Sequence, residues 1–146
     1  MSELGLAYGS AFQTIDSLAT SDGGVLTQLS SKSDVRGYAI APPLLDGCIH
    51  SLAVGILDDD NGDLFLPVGI KRVQFHSAAS DEVWCHAVWT KPDGDVRTAD
   101  LTLYDGDGNV IAELEELTVR QVNRAALRKM GGSGSERLLY EMQWQP

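Results

Sequence analysis

The sequence predicts an α+β domain in which a curved antiparallel sheet wraps around one long central helix, and three observations predict it. The stretch Tyr38 to Ile56, YAIAPPLLDGCIHSLAVGI, is the only apolar run long enough to form a central helix. Two short segments of β-type composition precede it and four follow it. The breaks between these segments are rich in Gly, Asp, Asn, Ser and Pro, the residues that turns require.

The two preceding segments, Ile15 to Ala19 and Val25 to Leu29, flank Ser21, Asp22, Gly23 and Gly24 and read as a hairpin. Before them, Tyr8 and Phe12 are spaced to present two rings on one side of a short helical turn. Ser30 to Gly37 is polar and reads as a loop. Pro42 and Pro43 then suit the first turn of a helix, where a missing N–H does no harm and φ is already near the helical value. Leu45, Ile49, Leu52, Ala53 and Ile56 follow the helical period and predict the buried stripe, which Leu44 and Cys48 widen. Gly47 costs roughly 1 kcal/mol relative to alanine inside a helix, so its position beside Asp46 implies a close approach there.

After the helix the chain reads as a meander of four strands: Phe65 to Phe75, Val83 to Thr90, Val96 to Leu103 and Val110 to Val119. Val83, Cys85, Ala87 and Trp89 alternate with Trp84, His86 and Val88, the period-two pattern of a half-buried strand. Two acidic clusters invite a calcium reading, and both fail it. With Gly62 of DDDNGD set on the invariant glycine of a calcium loop, Leu57 and Val68 fall where carboxylates belong. The second cluster, Asp105 to Asn109, places Leu103 at the first ligand position and reads as a hairpin turn. His76 and His86 lack metal-type spacing and read as half-exposed strand residues, so no metal site is expected. The GGSG of residues 131 to 134 reads as a linker leading to a terminal strand at Leu138 to Pro146.

At 146 residues the chain is expected to form one domain, or one module of something larger. A formal charge of −10 disfavours nucleic acid and anionic membrane surfaces as partners. No stretch has the form of a signal peptide or a membrane helix, so a soluble, cytoplasmic protein is expected. Cys48 and Cys85 read as small core residues in a reducing compartment, without a disulfide.

Asp46 and His50 are the chemical interest of the helix. Four residues apart, they lie on one face within reach of each other or of a shared ligand. Spacing alone also fits a structural pair at a helix start. The helix N-terminus favours the carboxylate of Asp46, and burial favours the neutral acid.

A single long helix between a hairpin and four antiparallel strands is the hotdog arrangement, and several motifs carry a resemblance in order along the whole chain. Tyr8-Gly9-Ser10-Ala11-Phe12-Gln13 resembles the YGPAFQ that opens the second hotdog of modular polyketide synthase dehydratases, which are double-hotdog enzymes. Pro42-Pro43-Leu44-Leu45-Asp46 resembles their HPxLLD helix start, with His50 where the family has Gln or His. Leu66-Pro67-Val68 with Val73 and His76 resembles a family strand, and Tyr104 to Arg120 its closing hairpin. Leu139, Tyr140 and Trp144 resemble the linker to the next unit. The chain thus resembles the C-terminal half of such a dehydratase domain, with residues 1–122 as the hotdog and 123–146 as the linker with its terminal strand.

The resemblance implies removal of water from a 3-hydroxyacyl chain held on the phosphopantetheine of an acyl carrier protein, giving an α,β-enoyl thioester with no other cofactor. It implies Asp46 as general acid and His50 as the residue that orients it. Tyr8, Phe12, Pro42, Leu45 and Gly47 would bind substrate. Two departures stand out. Ala41 replaces the histidine usually found before the motif's proline, and the HxxxGxxxxP motif that supplies the family's base histidine occurs nowhere in the sequence. A first hotdog, in cis or in trans, is therefore an expected partner, with a homodimer admitted. The alternatives are a non-catalytic dimerisation or substrate-holding module, a double-bond-shifting or pyran-forming variant, and a free-standing hotdog thioesterase.

Overall fold

The computed structural model describes residues 12–21, 23–32, 34, 36–55 and 64–122, without the side chains of 54 and 64. Tyr8, Ile56, the DDDNGD cluster, the GGSG linker and the terminal strand lie outside the described residues. The described chain forms β1 (Ile15–Ser21), β2 (Gly24–Ser30), helix α1 (Pro42–Ser51) with a 3₁₀ turn (Leu52–Gly55), β3 (Leu64–Phe75), β4 (Glu82–Lys91), β5 (Val96–Tyr104) and β6 (Val110–Val122). All six strands form one antiparallel sheet in the order β1-β2-β4-β5-β6-β3.

The strands begin and end close to where composition places them, but they are not one meander. Strands β4, β5 and β6 follow one another in the sheet, whereas β3 sits at the far edge against β6 and β4 pairs with β2. The reason is that α1 and the residues after it separate β2 from β3 in sequence, so β3 need not pair beside β2. Residues 76 to 81 then bring the chain back, with His76 and Ser77 donating to the carbonyl of Ile111 and Ala79 to that of Ala39. Pro67 is tolerated in β3 because an edge strand need not donate from every residue.

The central helix is shorter than the apolar run. Its α-helical part ends at Ser51, whose hydroxyl donates to the carbonyl of Cys48 at 2.6 Å, and one 3₁₀ turn follows. A serine bonded back onto the preceding turn, followed by Val54 and Gly55, favours ending the helix there. The buried stripe is also rotated from the predicted one. Leu44, Cys48 and Leu52 are at most 2% exposed, while Leu45 and Ile49 are only partly buried. The helix packs against β2, with β4 and β1 beside it.

Beneath α1 the core consists of alternate residues of the central strands, among them Leu29, Val83, Cys85, Ala87, Leu101, Leu103, Leu114 and Leu117. Among the described residues the edge strand β3 is less well covered than the central strands. On β3, Ile70, Val73 and Phe75 pair with the buried Leu117, Leu114 and Ala112, so they share the inner face, yet they are 37%, 42% and 52% exposed.

Two local devices shape the sheet. Between β5 and β6, Ala99 pairs with Leu117 and Leu101 with Leu114, leaving an extra residue on β6. Glu116 there has a φ of 48°, and its N–H donates to Asp100 Oδ1 at 2.8 Å. Its carboxylate meets Lys71 of β3. At the β5–β6 turn, Asp105 Oδ1 accepts from the N–H groups of Asp107 and Asn109, each at 2.9 Å. Its Oδ2 accepts from Asn109 Nδ2, also at 2.9 Å. The turn is self-contained, as a hairpin reading requires.

Candidate active site

Ala41, extended as residues before proline usually are, begins α1, and its carbonyl accepts from the N–H groups of Leu44 and Leu45. Pro42 and Pro43 occupy the first turn, as expected. The helical pitch then sets Pro42, Leu45, Asp46, Ile49 and His50 along one flank. Pro42 is exposed and the other four are partly buried. Among the described residues this flank is less covered than the side that carries Leu44, Gly47, Cys48 and Ser51.

His50 Nδ1 lies 3.1 Å from Asp46 Oδ2, with the two side chains 23% and 35% exposed. The Oδ2 atom is itself shielded from solvent, and no donor is aligned on it within hydrogen-bond geometry. A small rotation about either terminal torsion would align the N–H with the oxygen. The couple predicted from the i, i+4 spacing is thus in place. It sits on a partly buried flank of the helix.

The other expected site residues are distributed unevenly. Leu45 lies beside Asp46 on the flank and packs against the core. Phe12 is 42% exposed, three residues before β1. Tyr8 is outside the described residues. Gly47 lies not on the flank but on the buried side of α1, so its neighbours are the protein's own residues. A Cβ there would overlap the hydroxyl of Thr14 and come within 2.5 Å of Leu29 Cδ2. The close approach that the glycine implied exists, and the group approaching is Thr14.

Thr14 has no place in the sequence reading. It is 1% exposed and its hydroxyl donates to the carbonyl of Pro43 at 3.3 Å. Only the cost of Gly47 signalled that a side chain must fill this space.

The two cysteines and the other two histidines lie apart from the Asp46–His50 couple or are engaged elsewhere. Cys48 and Cys85 are buried and unbridged. The Cys48 thiol is pushed well above its usual range, first by its hydrogen bond to Cys85 and then by burial, which disfavours a nucleophilic thiolate. His76, exposed just beyond β3, pairs with Glu113 at 2.8 Å. His86 lines a groove of about 460 Å³ with Leu26, Tyr104 and the end of β1, on the sheet face opposite α1. Among the described residues no group of three or more His, Cys, Asp or Glu side chains could hold a metal, and no helix is long and apolar enough to cross a membrane.

A family model described as the polyketide synthase dehydratase N-terminal domain matches residues 1–129. Polyketide synthase PksN of Bacillus subtilis (strain 168) is 27% identical over 98% of this chain, which corresponds to 3% of that protein. Erythronolide synthase EryA2 of Saccharopolyspora erythraea is 28% identical over 99% of the chain and 4% of its own length. Among solved structures, the dehydratase domain from the CurJ module of the curacin polyketide synthase is 27% identical with a TM-score of 0.72, over 82% of this chain and 44% of that one. An inactive mutant of the CurJ dehydratase in complex with compound 21 is 25% identical with a TM-score of 0.76, over 86% of this chain and 47% of that one. The chain therefore spans about half the length of these dehydratases. With an antiparallel sheet on one helix, motifs in family order and a family match over most of its length, the chain belongs to the polyketide synthase dehydratase family, as a single hotdog unit.

Proposed function

We propose that this chain is the second hotdog of a dehydratase that removes water from a 3-hydroxyacyl thioester carried by an acyl carrier protein. The observation that carries this reading is the Asp46–His50 couple on the partly buried flank of α1. The description of the matching family model names the N-terminal domain. The second half is favoured here because the aspartate motif is present and the HxxxGxxxxP motif is not.

In this reading a histidine of a first hotdog takes the C2 proton. Asp46, as the neutral acid, gives its proton to the C3 hydroxyl as the C3–O bond breaks, so that water leaves and a C2–C3 double bond forms. His50, beside Oδ2, holds the carboxyl and leaves Oδ1 to face the substrate. Pro42, Leu45 and Phe12 supply apolar surface for the acyl chain. Phosphopantetheine on the carrier protein is the only prosthetic group needed, and it arrives with the substrate. By the resemblance, residues 123–146 are assigned to a linker with its terminal strand. The apolar residues left exposed on β3 and the partly buried flank of α1 provide a surface for the first hotdog.

Incubation of the chain with a first-hotdog partner and a 3-hydroxyacyl carrier protein should remove one water from the acyl group, as read by mass spectrometry. The absence of that loss, or its persistence in Asp46→Asn, would defeat the reading. Binding of the carrier protein without turnover would favour the substrate-holding alternative, which the missing base histidine motivates. A shifted double bond or a pyran ring as product would identify the variant chemistries.

A further inference from the structure

We infer that Thr14 is a positioning residue for the Asp46–His50 couple, acting through the first turn of α1; this rests on the dehydratase reading of that flank. Three features converge on Thr14. First, it is anchored to the sheet: it immediately precedes β1, and its carbonyl accepts from the N–H of Ser30 at 2.9 Å. Second, its buried hydroxyl donates across to the carbonyl of Pro43 at 3.3 Å. Third, that hydroxyl fills the space a side chain at position 47 would take, so helix and strand end meet at van der Waals contact.

Besides this bond, the first turn of α1 is held by the burial of Ala41 and Leu44 in the core. Ala41 provides no side-chain cap, and Pro42 and Pro43 have no N–H to offer. Asp46 follows Pro43 by three residues, about one helical turn, so a displacement of the Pro43 carbonyl is carried directly to Asp46. A buried hydroxyl with one acceptor is also directional. It fixes the rotation of the turn about the helix axis, which apolar packing alone leaves softer. Thr14 touches neither Asp46 nor the expected place of the substrate. Its effect is therefore on the placement of the acid rather than on binding.

The test compares Thr14→Val, which keeps the shape and removes the hydroxyl, with Thr14→Ser, which keeps the hydroxyl. With a first-hotdog partner supplied, Thr14→Val is expected to lower kcat about 10-fold, since small misplacements of reacting groups cost one to two orders of magnitude, while KM changes less than about twofold. Thr14→Ser should return kcat to within about twofold of the parent. Wild-type kcat in Thr14→Val, or equal losses in both variants, would overturn the inference. Asp46→Asn is assayed alongside, so that failure of the dehydratase reading is recognised by itself, as no turnover in the parent or no loss in that variant. In that event the ¹⁵N chemical shifts of the His50 imidazole decide the matter without turnover. They should move in Thr14→Val and not in Thr14→Ser, and identical spectra for all three proteins would refute the positioning role.

Discussion

Asp46 and His50 meet because an α-helix brings residues four apart onto one face, and both side chains are held at the partly buried flank by Leu44 and Cys48 buried behind them. Replacing Asp46 with asparagine keeps the shape and removes the transferable proton. Turnover is expected to fall at least about 10²-fold in the reconstituted assay, with the thermal midpoint little changed. Gly47 is a second residue whose identity is dictated by its neighbour. Alanine would gain about 1 kcal/mol in helix propensity but force an overpacked contact with Thr14 and Leu29, typically worth about 1–3 kcal/mol. Gly47→Ala should therefore lower the denaturation midpoint, and Thr14→Ala in the same chain should recover part of the loss. Additive losses in the double variant would show that the two residues do not share the space.

Among the elements, the β5–β6 hairpin is a local unit whose turn is organised by one carboxylate. The side-chain amide of Asn109, followed by backbone N–H groups, holds Asp105 below the usual carboxylate range. A carboxylate whose folded value is depressed stabilises the fold above its unfolded value of about 3.9, and loses that contribution as pH falls through the folded value. Asp105→Ala should thus reduce the thermal midpoint at neutral pH, with the difference from the parent shrinking to nothing in strong acid; a difference independent of pH would point to packing instead. The strand boundaries were legible in sequence because alternation and turn chemistry are local signals, clear in Val83 to Trp89 and in DGDGN. The helix end was less legible, because apolar character continues through Val54 and Gly55 while the hydrogen bonding of Ser51 already ends the α-helix.

For the whole molecule, the inner face of β3 is the surface proposed above for a first hotdog, because its apolar residues are exposed among the described residues. Val73 and Phe75 face the side where α1 lies but are beyond the part of the sheet it covers. A pair of lysines, Val73→Lys with Phe75→Lys, should leave the thermal midpoint of the chain within a few degrees, since both residues are already solvent-exposed. The same change should abolish association with a first hotdog by light scattering. Retained association would place that interface elsewhere. The position of β3 could not be read from sequence: its composition is that of any strand, and nothing local distinguishes an edge beside β6 from a place beside β4.

The sequence by itself determined which segments of the described residues are strands, where the helix begins, and that an acid and an imidazole share one helical face, because periods of two and 3.6 residues and the constraints of proline are written within a few residues. Only the tertiary structure decided the strand order, the partly buried flank, and the meeting of Thr14 with Gly47. Each of these depends on packing between residues far apart in the chain, where the relief of a clash or the burial of an apolar face is settled by the fold as a whole.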